Sequence, residues 1–476
     1  MCRDCVIGHD ICKMLTMSCF NSALEFNTIP SVMQLFANRG YLAKVIENLE
    51  QSDQDLCLVL SDSVKNIRAL YVYESHIALL LRFADSYIGA EMLLSANLLT
   101  ILSQMKVYDM HPDFQGCSRT QNVTNEFLPA VNNRFRQILF PALQLCNTVI
   151  KTLGSDNQSA MSQIENFLFS HFEIIEFILR SGATQRDIGI MQELSVVTGI
   201  IARIMRKEMR LPADLKSHQT KIHFHKINRY MLHIFCYFVL KNEVLKKNTK
   251  PNAQSNDVSE ASGSYIKHFV SITANVTLFF RYKFTNTMSL SNILFYPKKN
   301  TSLKRMDNLD RALTESLDFV TVLNHLQGSV EYLEMQKRTT DSMASHKSFI
   351  SDTSIDTSDR SAYIERIQHR ENAQKELSLN VFIIEQTLYM LWLHLDFYVK
   401  NTSSLTGICL VSSFEEYLPN STSKEDLCCL KQILISVFNE TFSSYLSSVS
   451  EFEDENYFNR TMVREIKSLI QLLPCV

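Results

Sequence analysis

The chain has 476 residues, a hydrophobic share of 46% and a net charge of −3 from 47 basic and 50 acidic side chains. That composition excludes global disorder, and the charge balance excludes a general nucleic-acid binder, which carries a strong basic excess. Glycine (11) and proline (9) fall far below their ordinary shares of about 7% and 5%, so the many tight turns of sandwiches, barrels and doubly wound sheets are excluded too. Long helices joined by polar loops remain. The 12 cysteines have no regular spacing, which points to reduced thiols and not to a disulfide framework. Met1 to Asp10 carry charges and no apolar run, so no secretory leader is expected.

In chain order, Cys2, Cys5, His9 and Cys12 come first. A Cys-x-x-Cys pair with a histidine and a third cysteine has the chemistry of a tetrahedral zinc site. Their spacing is also that of one helical face. Ligands strung along one helix spread over about 15 Å and cannot converge on an ion, so buried thiols are favoured. Helical periodicity then marks Ala69–Phe83, Glu91–Met105, Phe135–Leu153, Gln163–Arg180 and Met191–Lys207. Pro141 inside the third either starts that helix or kinks it. Arg203, Arg206, Lys207 and Arg210, extended by Lys216, Lys221 and Lys226, form a basic cluster. It could touch an acidic partner, RNA or anionic lipid, but cations at a helix C-terminus are favourable in their own right.

Polar stretches separate the helices at Asp113–Glu126, Lys241–Gly263, Pro297–Asp307, Arg338–Asp359 and Asn401–Lys424. The second and fourth cannot bury enough to offset ordering entropy and are expected to be mostly disordered. The clearest helix follows. Leu377, Val381, Ile384, Leu388, Leu391, Leu395 and Tyr398 recur at steps of four and three, which places them on one face. Phe382, Ile383, Tyr389, Met390, Leu393 and Phe397 extend the apolar surface almost all round, so the helix should sit between neighbours. A polar strip runs through Glu385 and Asp396, with Trp392, the sole tryptophan, between them. Val381–Val399 is also the nearest approach to a membrane span, but Glu385, His394 and Asp396 interrupt it, so no transmembrane segment is expected. Two last stripes follow: Leu427, Leu430, Leu434, Phe438, Phe442 and Tyr445, then Phe458, Met462, Ile466, Leu469 and Leu473. The adjacent Cys428 and Cys429 point to different sides of the first and read as core or partly buried thiols.

These readings divide the chain into a helical solenoid segment (1–240), a flexible loop (241–263), a helical segment (264–337), a disordered loop (338–360) and a C-terminal helical segment (361–476). Repeated helix–loop–helix units fit an all-α solenoid of stacked antiparallel helices, HEAT- or armadillo-like with irregular repeats. The chain has no P-loop, dinucleotide glycine pattern, Gly-x-Ser-x-Gly or His-Glu-x-x-His. No enzyme chemistry, cofactor or metal is therefore expected.

Seven segments carry a resemblance in combination. They are Gly8–Leu15 (GHDICKML), Asn38–Leu42 (NRGYL), Leu70–Ser75 (LYVYES), Val107–Met110 (VYDM), Asn133–Cys146 (NRFRQILFPALQLC), Leu194–Ile201 (LSVVTGII) and Phe382–Leu395 (FIIEQTLYMLWLHL). In order and spacing they resemble the C-terminal part of the nucleoporin-192 family, the large inner-ring scaffold nucleoporins of the nuclear pore complex. The resemblance is strong over about Met1–Ile201, thins after Lys207 and returns at Glu376–Tyr398. Members of that family are several times longer, so the sequence looks like a C-terminal fragment, a partial gene model or a truncated paralogue. A piece of solenoid lacks its neighbour, so Met1–Phe36 is expected to be poorly packed.

The resemblance implies a non-catalytic structural constituent of the inner ring, at the nuclear envelope. It implies multiple copies in a larger assembly, support of nucleocytoplasmic transport, and no direct nucleic-acid contact. It also implies a partner, a short helix from a linker nucleoporin of the nucleoporin-93 type. Such a helix would dock its apolar face in a groove. The expected contact residues are Phe382, Glu385, Leu388, Tyr389, Trp392 and Asp396, set against the reading that they only fill the core. The alternative function is a soluble helical-repeat transport receptor or adaptor.

Overall fold

The computed structural model describes residues 2–26, 30–61, 67–112, 128–182, 187–208, 218–240, 256–285, 293–297, 318–345, 357–403, 424–449 and 456–473. These residues are almost wholly helical. One short 3-10 turn, Lys106–Asp109, and one isolated parallel bridge between Tyr296 and Asp318 also occur among them. The chain divides into two compact units, Met1–Asn228 and Arg229–Val476.

The first unit opens with α1 (Asp4–Ile7), α2 (Asp10–Phe26), α3 (Pro30–Asn38), α4 (Tyr41–Gln51), α5 (Asp53–Val59) and α6 (Arg68–Ala84). It continues through α7 (Tyr87–Ser95), α8 (Leu98–Leu102), α9 (Val131–Leu153), α10 (Gln158–Ser170), α11 (Phe172–Gly182) and α12 (Ile188–Glu208). Most helices pack on partners one to three elements away, and α6 lies against both α2 and α9. The second unit holds α14 (Asn256–Thr285), α15 (Phe319–Ser345), α16 (Thr357–Ser403), α17 (Lys424–Val437), α18 (Glu440–Ser448) and α19 (Asn456–Leu472). Between α12 and α14 comes α13 (His218–Leu240). In the first unit its His223 ring stacks on Phe172 at 4.1 Å. In the second, its Phe235 and Phe238 meet Phe280 and Phe269 at 5.2 and 4.8 Å. In the first unit most helices stack on their neighbours in sequence, as in an all-α solenoid.

The helix-period reading runs straight through breaks that tertiary contacts impose. Glu91–Met105 is not one helix but the end of α7 followed by α8, parted by Asn97 in the left-handed region at φ 56°. Asparagine tolerates that region better than most side chains. Gln163–Arg180 breaks at His171, which is buried. Its ring nitrogens lie 2.8 Å from Asp109 Oδ1 and 3.2 Å from the Leu102 carbonyl. The start is not one helix either. Gly8, with extended backbone, separates α1 from α2, so the single-face argument about Cys2, Cys5, His9 and Cys12 loses its premise. Cys5 is buried, Cys12 is exposed and Cys2 lies between. Among the described residues no three potential ligands gather at one point.

Pro141 lies well inside α9 and does not start it. It leaves the Gln137 carbonyl without its helical donor. Beside that gap Tyr73 of α6 donates to the Ile138 carbonyl at 2.8 Å, and Tyr108 donates to Tyr73 at 3.0 Å. Burial pushes both phenols upward in pKa, so they stay protonated donors. Met1–Phe36 is better packed than expected in part. Met17, Phe20, Leu24 and Phe36 are buried, and Phe20 stacks on Phe36 at 5.0 Å. Ile7, Ile11, Leu15 and Leu35 remain more than half exposed.

Helix α16 is the axis of the second unit. It packs against α14, α15 and α19, and all seven residues of its predicted core face, Leu377 to Tyr398, are buried. Polar groups fix its register. Asn380 donates to the Ser329 carbonyl at 3.0 Å. His394 donates from Nδ1 to the Met390 carbonyl at 2.7 Å, which leaves Nε2 to accept the Leu294 N–H at 3.2 Å. Tyr398 donates to the Phe295 carbonyl at 3.1 Å, and the Phe319 N–H to the Tyr296 carbonyl at 3.0 Å. The extended stretch 293–297 is thus strapped across α16.

Helices reach into both stretches expected to be disordered. α14 begins at Asn256, α15 runs to Ser345 and α16 starts at Thr357; the rest of 241–263 and 338–360 lies outside the described residues. So do Asp113–Glu126, nearly all of Pro297–Asp307 and most of Asn401–Lys424. The last two stripes are also shifted. Asn439 caps α18, accepting from the Phe442 N–H at 2.9 Å. That break turns Ser443 and Leu446 inward and leaves Phe442 and Tyr445 partly exposed. In α19 the buried line is Asn459, Val463, Ile466, Ile470 and Leu473, rotated by one position from the expected one at Phe458, Met462 and Leu469. Asn459 sets that rotation by donating to the Val449 carbonyl. One helical stretch among the described residues, Ile188–Arg206, is long and apolar enough to cross a membrane, whereas the sequence points to Val381–Val399. It is 67% buried, as a core helix is.

Two measurements test this packing. At the α6–α7 corner a Cβ on Gly89 would stand 2.1 Å from the Phe83 carbonyl oxygen. Gly89→Ala should therefore lower stability by about 1–3 kcal/mol, read as an earlier thermal transition; an unchanged transition contradicts the corner. Burial lowers the pKa of His325 and His394 from 6.5 to about 4. The unfolded chain then binds more protons between those values. Stability is full above pH 6.5 and falls as pH drops toward 4, by up to about 1.4 kcal/mol per pH unit per histidine. Denaturation followed by Trp392 fluorescence at pH 7 and pH 5 should show the loss, and equal midpoints would contradict it.

Candidate partner-binding face

The six residues singled out on α16 separate into two groups. Phe382, Glu385, Tyr389, Trp392 and Asp396 follow steps of three, four, three and four, and all are partly exposed. They share one face of the helix. Leu388 is fully buried. It belongs to the core stripe, so for this residue the core-filling reading holds. Leu393 and Phe397, also partly exposed, widen the face.

The face is made by a conflict of demands on one helix. Three neighbours bury most of its circumference, and the remaining strip still carries four aromatic rings. Tyr389 and Trp392 lie 5.6 Å apart, centroid to centroid. Arg281 of α14 places its guanidinium 4.8 Å from the Tyr389 ring centroid and donates to Gln386. That cation–π contact orders Tyr389 and puts a positive charge beside the aromatic strip. Sequence reasoning missed Arg281, which sits 105 positions from Gln386; no local pattern signals such a contact. Asp396 is paired with Lys400 at 2.6 Å. The strip thus offers flat, semi-rigid apolar area flanked by charges already engaged. Such a surface can hold a helix or strand of another chain.

Three members of the basic cluster are engaged within the fold. Arg203 donates to the Gly199 carbonyl at 2.8 Å, and Arg206 to Ser155 and Asp156 at 2.8 and 3.4 Å. Lys226 pairs with Glu176 at 2.9 Å and lies 5.5 Å from the Phe172 ring centroid. Arg210 and Lys216 lie outside the described residues. Cys428 is partly buried and Cys429 exposed.

Residues 1–205 match the family described as "Nuclear pore complex scaffold, nucleoporins 186/192/205". The match covers six of the seven segments quoted above and ends before α16. The Drosophila melanogaster protein "Nuclear pore complex protein Nup205" is 33% identical along all of this chain, which spans 23% of that protein. Homo sapiens "Nuclear pore complex protein Nup205" is 34% identical over 204 residues, 43% of this chain and 10% of the human protein. The chain therefore spans about a quarter or less of the relatives it matches. Over residues 1–205 the chain is similar to the nuclear pore complex scaffold family of nucleoporins 186/192/205, and along its whole length it is similar to a part of such a protein.

Proposed function

We propose that the chain is a structural part of the nuclear pore complex inner ring, located at the nuclear envelope, that works by holding other nucleoporins. The observation that carries this reading is the 33% identity with a nuclear pore complex protein over the full chain. The stacked helices supply what a scaffold needs, packed helical surfaces. The partner is a short amphipathic helix of a nucleoporin-93-type linker, and its seat is the aromatic strip of α16. Trp392 and Tyr389 are its anchors. Large aromatics that are partly exposed and locally ordered dominate binding energy at such surfaces. The chain carries no catalysis in this reading and reaches nucleic acid only through its partners.

The test separates anchor from core. Trp392→Ala with Tyr389→Ala should weaken a nucleoporin-93-type linker peptide by at least tenfold, the equivalent of about 1.4 kcal/mol. Helical circular dichroism should stay unchanged, because neither side chain is buried. Leu388→Ala should instead cost about 2–5 kcal/mol of stability. If the peptide binds the double variant unchanged, α16 is not its seat. A fluorescent fusion should sit at the nuclear rim and exchange slowly. Rapid shuttling between nucleus and cytoplasm would sink the scaffold reading in favour of a transport receptor.

A further inference from the structure

A groove of about 430 Å³ runs between α2 and α6 in the first unit, remote in sequence from the α16 face. Met14 and Met17 line it from α2, and Tyr71, Glu74 and Ala78 from α6. Methionine makes an apolar surface that adapts to the shape laid on it. Ile11 and Leu15 of α2, four apart, are exposed by 55% and 61%, and Tyr71, which lines the groove from α6, is 46% exposed. Residues three and four apart are neighbours on a helix, so Ile11 and Leu15 continue the apolar surface from Met14. The outward face of α2 runs on through Cys12, Ser18 and Cys19, all exposed and none charged.

One charge interrupts this surface. Glu74 lies in the groove, and burial alone raises its carboxyl pKa. It makes no hydrogen bond or ion pair among the described residues. Lys13 and Arg68 both pair with Asp10, at 3.9 and 2.8 Å, and Arg82 of α6 donates to the groove residue Asn21 at 3.1 Å. A carboxylate drawn partly out of water beside methionines costs free energy until a cation meets it.

We infer that the α2–α6 groove is a second docking site, and that its occupant is an amphipathic helix of a partner protein that presents one lysine or arginine from its apolar face. The apolar ridge supplies area, and Glu74 supplies register and selectivity by charge complementarity. The same carboxylate argues against an anionic membrane as the occupant, because it repels lipid headgroups. The site lies on a different unit from the α16 strip and does not depend on the function proposed for that strip.

The experiment titrates the full chain against a fluorescein-labelled leucine–alanine helix carrying one lysine at the middle of its apolar face. Two control helices replace the lysine by norleucine or glutamate, and anisotropy is the readout. The lysine helix should bind at least about fivefold more tightly than the norleucine helix, the scale of one partly buried ion pair, with the glutamate helix weakest. Glu74→Gln should erase the difference between lysine and norleucine. Leu15→Glu should weaken all three, with circular dichroism unchanged in both variants. Absence of binding, equal binding of the three helices, or a lysine preference that survives Glu74→Gln overturns the inference. So does competition by phosphatidylserine vesicles, which would assign the groove to a membrane. So does a concentration-dependent dimer that Leu15→Glu breaks, which would assign it to a second copy.

Discussion

Apolar side chains nearly encircle α16 between Leu377 and Tyr398, and a helix of that kind cannot rest on a surface; it has to be surrounded. Fully burying one leucine or isoleucine is worth about 1.5–3 kcal/mol, and Ile384, Leu388, Leu391 and Leu395 are all without exposed surface. That requirement draws α14, α15 and α19 around one helix. The strap at 293–297 closes over it through His394 and Tyr398. What the neighbours leave uncovered is a strip of aromatics, and the strip becomes the candidate seat for a fourth, external helix. The same residue pattern therefore accounts for both the core of the second unit and its proposed docking face.

The two candidate sites differ in how they hold charge. On α16, Asp396 is paired with Lys400 and Tyr389 is capped by Arg281, so selectivity there rests on aromatic shape. In the α2–α6 groove Glu74 meets no cation among the described residues, so selectivity rests on charge. A scaffold that holds several short helices at once needs such differences to keep each in its own seat.

Much of this was legible in the sequence, and the reasons are specific. Scarce glycine and proline and strong 3.6-residue periods announce the helical class, and the core face of α16 is recoverable residue by residue. The polar strip beside it marks the partly exposed face, with Leu388 misplaced because it is adjacent to both. What the sequence hides is where a continuous period is cut. Asn97, His171 and Asn439 interrupt helices through backbone conformation, a buried imidazole and a side-chain cap, none of which alters hydrophobic periodicity. The one-step rotation of α19 is equally hidden, since it follows from Asn459 reaching Val449. Arg281 and Glu74 matter through the presence or absence of a partner across the fold, which periodicity does not encode.

The central claim is that the uncovered strip of α16 receives an external helix while the rest of that helix stays core. Trp392, alone of its kind in the chain, lies on the strip and reports on it without labelling. The direct measurement is acrylamide quenching of Trp392 fluorescence, free and saturated with a nucleoporin-93-type linker helix. The account predicts a quenchable indole in the free chain that becomes shielded in the complex. An indole equally quenchable in both states, with the helix demonstrably bound, would contradict it.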